Sequence, residues 1–185
     1  MKTVQFRLDS ASPISFSKAI VSKRDTGESH DAFEERTWRE RMHLNKDGLI
    51  YIPPMALKLC LVSVAKFLSE TIPGKGKATY TKHFKAGTMV VDEIDLGIKG
   101  VDVDSERLFL PNPGNMGTRV WKTFPLVKSW SAIASVVLLD PVLVDKETKV
   151  LEYLEHAGKF IGLGRFRAEN GGLYGRFSVH DFKVI

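Results

Sequence analysis

The sequence predicts an α+β chain: a ferredoxin-like, RRM-like core of order β-α-β-β-α-β, interrupted by insertions. Three observations predict it. Val4, Phe6 and Leu8 alternate with polar residues, the period of a half-buried strand. Leu57, Leu61, Val64 and Leu68 recur at spacings of four, three and four, the period of a helix. The run SAIASVVLLDPVLV at 131–144 is apolar and β-branched, as a central strand is.

In chain order, residues 2–9 form the first strand. Residues 10–47 are polar and carry both signs of charge. Within them, 31–43 predicts a helix anchored by Phe33, Trp38 and Met42. Asn45-Lys46-Asp47-Gly48 is a turn, and LIYI at 49–52 is a short apolar strand. Pro53-Pro54 opens the helix at 54–70, since proline's missing N–H costs nothing in a first turn. Cys60 and Phe67 widen its core stripe. Residues 73–87, PGKGKATYTKHFKAG, hold four lysines, one histidine and no acid. They show too little periodicity for a core element and read as a basic loop. MVVDEIDLGI at 89–98 predicts a strand in acidic surroundings: Asp92, Glu93, Asp95, Asp102, Asp104 and Glu106 against Lys99. From 107 to 130 the sign reverses, with Arg107, Arg119, Lys122, Lys128 and no acid. PNPGNMG at 111–117 is a surface loop. After the strand at 131–144, Val150, Leu151, Leu154 and Ala157 share one helical face, with Gly158 as its C-cap. Leu173, Phe177 and Val179 alternate in a last strand. One domain, 1–185, is expected, with insertions at about 10–47 and 73–130.

Composition narrows the class. Among 185 residues, 43% hydrophobic and 26% charged content excludes a disordered chain. The single cysteine, Cys60, excludes an internal disulfide framework and a multi-cysteine zinc site. No run approaches the roughly 18 apolar residues of a membrane span, and MKTVQFRLDS lacks the apolar run of a secretory signal. A cytoplasmic, reducing home is expected, with no membrane partner. The net charge of +5 permits nucleic-acid binding without demanding it.

The chemistry concentrates at 162–176: Gly162, Gly164, Arg165, Arg167, Asn170, Gly171, Gly172, Tyr174, Gly175 and Arg176. Glycines allow close approach of another chain, and successive N–H groups can cradle phosphate. Arginine adds a bidentate fork and a flat face, and Tyr174 can stack on a base. The alternative is a glycine-rich hairpin with solvated arginines. The run follows a helix and precedes a strand, the reverse of a dinucleotide-binding loop. A second basic-aromatic segment is Lys75, Lys77, Lys82, His83 and Lys85 with Tyr80 and Phe84, whose alternative is a solvated loop. A third is Arg119, Trp121, Lys122, Lys128 and Trp130, whose tryptophans suit a core equally well.

A helix ending in Ala-Gly, a glycine-arginine loop and a Tyr-Gly-Arg strand resemble the C-terminal signature of the RAMP superfamily. These are the ferredoxin-like RNA-binding proteins of CRISPR effector and processing complexes. The first helix agrees: Ile52, Pro53, Leu57 and Lys58 stand in IPPMALK where that family has an I-P-x-x-x-L-K entry. The family usually has glycine or serine where Pro54, Met55 and Ala56 stand. The resemblance implies RNA binding along the glycine loop. Backbone-type members also polymerise along a guide RNA through a thumb-like hairpin, for which 73–130 supplies a candidate.

The expected ligand is single-stranded RNA, with single-stranded DNA second, bound mainly through phosphates. Self-association or other complex subunits are the expected partners. No cofactor, metal or catalytic residue is expected. The five histidines, His30, His43, His83, His156 and His180, have no distinctive sequence partner. A metal-independent RNA endonuclease using His30 is one rival. An interaction protein that mimics and blocks a complex subunit is the other.

Overall fold

A computed structural model describes residues 1–112, 114–115 and 117–185. The chain is α+β. Strand β1 spans Lys2–Ser10 and β2 Ile14–Ser15; helix α1 spans His30–Thr37, continued by a 3₁₀ turn at Trp38–Arg41. Strand β3 (Leu49–Ile52) leads into α2 (Pro54–Leu68), and α3 (Thr81–Gly87) into β4 (Thr88–Met89). Strands β5 (Ile94–Lys99), β6 (Asp104–Pro111), β7 (Arg119–Val127) and β8 (Ser131–Leu138) follow. Helices α4 (Pro141–Val144) and α5 (Glu147–His156) precede β9 (Phe177–Val184).

The main sheet has the order β4-β8-β1-β9, with every pair antiparallel. Its register sets Phe6 opposite Ala134 and Arg7 opposite His180. Val4, Phe6 and Leu8 point from β1 into a core shared with Leu57, Leu61 and Val64 of α2 and with Val150, Tyr153 and Leu154 of α5. Two smaller sheets flank it, β2-β7-β6 and β3-β5.

Helix α2 starts where the sequence places it, with Pro54 in its first turn, and ends at Ser69 in the left-handed region. Lys58 donates to the Phe84 carbonyl (2.7 Å) and to Thr88 Oγ1 (2.7 Å), so this cation fixes the end of α3. Phe67, expected in the core stripe, is exposed.

Other expectations are corrected. Residues 73–87 are not all loop, because Tyr80 and Phe84, four apart, anchor α3 in the core. Phe84 stacks on Tyr153 at 4.5 Å between centroids. Burying such a ring contributes about 1.5–3 kcal/mol, which outweighs the weak propensity of so short a helix. The 31–43 helix ends at Thr37 and tightens into the 3₁₀ turn, with Ser29 Oγ accepting from the Ala32 N–H as its cap (3.1 Å). The 89–98 segment divides into β4 and β5. The 131–144 strand stops at Leu138, because Asp140 caps α4 by accepting from the Val142 N–H (2.8 Å). Pro113 and Met116 of the expected 111–117 loop lie outside the described residues.

Gly158 does not end α5. The chain continues through a π turn, Ala157–Ile161, to Gly162 at φ 78°. A Cβ on Gly158 would lie 2.0 Å from the Phe177 carbonyl oxygen, so this glycine lets the turn pack on β9. The last strand begins at Phe177, and Leu173 is exposed before it.

Candidate nucleic-acid interface

The loop 162–176 folds back on itself. Leu163 N–H donates to Gly175 O (2.9 Å), Tyr174 N–H to Phe166 O (3.0 Å), and Gly172 N–H to Arg167 O (3.1 Å). Arg165 N–H donates to Ser15 O (2.8 Å) and Gly175 N–H to Pro13 O (2.7 Å), which pins the loop to the chain around β2. Gly175 sits at φ 73°, and a Cβ there would fall 1.8 Å from Leu163 O. Most loop amides are therefore used internally. The expected row of free N–H groups cradling phosphate is not formed; side chains carry the positive charge instead.

The three loop arginines differ. Arg165 lies with its guanidinium carbon 3.5 Å from the Phe124 ring centroid and 4.3 Å from that of Phe166. Its Nη1 is buried without a hydrogen-bond partner. Burial lowers its pKa, against the nearby Glu106 and Tyr174, which raise it. Arg167 pairs with Glu169 (2.9 Å). Arg176 donates from Nε to Lys159 O (3.2 Å) and meets no carboxylate among the described residues. Tyr174 donates to Glu106 Oε1 (2.7 Å), and burial, then this bond, pushes its pKa to about 12. Asn170 and Gly171 stand exposed on a 3₁₀ turn.

A groove runs along α2 beside this loop. It comprises three adjoining clefts of about 180, 220 and 540 Å³. Ala56 and Gly164 line both the first and second; Ser63 and Glu169 line both the second and third. At one end stand Lys18, His43 and Arg165. Arg167 and Gly162 line the middle. Lys66, Lys159 and Arg176 occupy the far end with Phe67 and Phe160. Glu169, the one acid lining the groove among the described residues, is engaged by Arg167. Burial, then Lys18, holds the His43 ring below its ordinary pKa.

The lysine segment stands apart from the groove. Lys75 and Lys77 are exposed before α3, and Lys82 and Lys85 are exposed on it. His83 Nδ1 pairs with Asp140 (2.8 Å), so it holds α3 against α4. Tyr80 and Phe84 are buried and offer no stacking face. Arg119 and Lys122 lie on the β6–β7 hairpin. There Phe109 (47% exposed) packs against Trp121 (42%) at 5.0 Å, with the Arg107 guanidinium over Trp121. Trp130 is core.

Sequence reasoning missed Lys18, His43, Lys66, Phe67, Lys159 and Phe160. One signal was present: Met55, Leu59, Ser63 and Phe67 recur every four residues, a second stripe beside the core one. Among the described residues, no cluster of three or more His, Cys, Asp or Glu could hold a metal ion, and no helix is long and apolar enough to cross a membrane.

No family model matches the sequence, and no curated protein matches it. Solved structures do match. A chain of the type III-B Cmr-beta complex, determined by cryo-EM bound to cognate target RNA, superposes with a TM-score of 0.56 at 10% identity. The match covers 100% of this chain and 60% of that one, so this chain spans about three fifths of the length of the structure it resembles. At this identity the likeness is one of fold.

Proposed function

We propose that this chain binds single-stranded RNA, and single-stranded DNA less well, along the groove between α2 and the loop 162–176. The groove's charge carries the reading: Lys18, Lys66, Lys159, Arg165, Arg167 and Arg176 line it against one acid, already paired. Such a track suits a sugar-phosphate backbone. The strand order supports a ferredoxin-like core made of β1, α2, β4, β8, α5 and β9. With the fold likeness, this supports a RAMP-like, backbone-type subunit of a CRISPR complex. The β6–β7 hairpin, with Arg107, Phe109, Arg119 and Trp121, fits the thumb-like element. Lys75, Lys77, Lys82 and Lys85 form a secondary basic surface. The acidic stretch 92–106 offers a face for the basic groove of a neighbouring copy, which would allow head-to-tail growth.

Anisotropy of labelled single-stranded RNA and DNA, with size-exclusion mass measured alongside, tests the proposal. Salt-sensitive RNA binding with growth in mass supports it; a wild-type protein that binds neither strand removes it. A metal-independent endoribonuclease is a second reading, and one observation moves it from His30 to His43, the histidine that lines the groove. Cleavage of a hairpin RNA in chelator, lost in His43→Ala, would establish that activity; intact RNA rejects it.

A further inference from the structure

The far end of the groove carries aromatic surface that phosphate binding does not require. Phe67, in the last turn of α2, is 60% exposed, and Phe160, in the π turn after α5, is 45% exposed. Their ring centroids lie 5.3 Å apart at 30°. The two rings come from different elements, α2 and the π turn, and those elements line one cleft. Two large aromatics left in water on adjoining elements mark a binding surface more than a packing accident.

The surrounding charge narrows the ligand. Lys66, Lys159 and Arg176 line the same cleft, and none has a carboxylate partner among the described residues. Arg176 is held in place by the Lys159 and Leu173 carbonyls (3.2 and 3.5 Å). Glu169, the one acid lining the cleft among the described residues, is taken by Arg167. An apolar peptide would leave three cations desolvated without partners, which is costly. A duplex keeps its bases stacked inside and presents none to the rings. A planar aromatic group carrying a phosphate satisfies both halves of the cleft.

We infer that Phe67 and Phe160 form a stacking subsite for one unpaired base, whose phosphate is held by Lys66, Lys159 and Arg176. The inference rests on the RNA-binding reading above and adds a fixed base position to it. Aromatic stacking contributes about 5- to 150-fold in affinity per base.

The test uses the full chain and short single-stranded RNAs carrying 2-aminopurine at successive positions. Phe67→Ala/Phe160→Ala and Phe67→Leu/Phe160→Leu are compared with wild type, and thermal melts confirm folding. The subsite predicts fluorescence quenching at one position in each bound register, lost in both variants. It also predicts at least about fivefold weaker binding by the variants. An abasic residue at the quenched position should weaken wild type and leave the variants unchanged. Binding of RNA by wild type with no quenched position and equal affinity in the variants overturns the subsite and leaves the RNA-binding reading standing. Absence of any RNA binding by wild type overturns both. Unchanged RNA affinity with loss of self-assembly in the variants also overturns the subsite, and identifies the rings as a protein-docking surface.

Discussion

Glu34 and Arg41 tie the N-terminal insertion to β7 through a buried ion pair, and removing one member measures that tie. Their side chains are 6% and 9% exposed. Arg41 Nη2 donates to both Glu34 oxygens (2.9 and 2.8 Å), Glu34 also accepts from the Thr123 N–H (3.1 Å), and Arg41 Nε donates to the Thr123 carbonyl (3.0 Å). Glu34→Ala would leave a buried guanidinium without its carboxylate and the Thr123 N–H without its acceptor. Breaking a buried pair this way costs about 3–5 kcal/mol. For a chain of this length that lowers Tm by about 6–20 °C. Arg41→Met should cost a similar amount. Glu34→Leu/Arg41→Met removes both charges, leaving chiefly the unpaired Thr123 peptide groups, at about 1–3 kcal/mol each. The double variant should therefore be well short of the sum of the singles. Urea unfolding of the wild type, both singles and the double completes the cycle. Single costs below about 1 kcal/mol that add in the double would refute the anchor. The pair bears on the groove as well, because the Phe124 ring lies beneath both Arg41 and Arg165.

Gly175→Ala should cost more than about 3 kcal/mol, since a left-handed backbone coincides with a Cβ placed only 1.8 Å from Leu163 O. Gly171→Ala, at a similar φ of 74° but with open space, should cost only about 1–2 kcal/mol; equal losses in thermal melts would contradict the packing argument. Because burial and Lys18 lower the His43 pKa, the unfolded chain binds its proton first as pH falls. That part of the stability is present above about pH 6.5 and declines below it. His43→Phe should flatten the pH dependence of the urea midpoint between about pH 7.5 and 5; an unchanged slope argues against it. RNA binding should move the opposite way, tightening in acid as a phosphate stabilises the imidazolium. Burial pushes the Cys60 thiol up to about 12, so it should react with thiol reagents only on unfolding; rapid native labelling would show the α2 core to be open.

Much of the architecture was legible because its signals are local. The period of Val4, Phe6 and Leu8 and the LIYI strand report burial on one face, and the Pro53-Pro54 entry reports a helix start. The glycine loop was legible as a concentration of residue types, but its use was not. Gly162, Gly164 and Gly175 take positive φ in a loop whose Arg165 and Gly175 amides bond to Ser15 O and Pro13 O, about 150–160 residues earlier in the chain, while Gly162 and Leu163 bond within the loop region, so these amides are consumed. The lysines of 73–87 hid a helix, since Tyr80 and Phe84 are too few to show a period over two turns. In sequence Phe67 reads as core because it adjoins the Leu57–Leu61–Val64 stripe. Only the position of the 157–161 turn shows that it faces Phe160 and solvent. The groove joins residues from four separate segments, which no single stretch of sequence reveals.

The central claim is that the groove beside the glycine loop binds single-stranded RNA through its cations. The most direct measurement is anisotropy titration of labelled single-stranded RNA at about 50 and 200 mM salt, on wild type and on Arg165→Gln/Arg167→Gln. The account predicts salt-sensitive binding by wild type, weaker binding by the variant, and a log-log salt slope shallower by about 1.4 if two phosphate contacts are lost. Equal affinity and equal slope in the two proteins, or no binding by wild type, would contradict it.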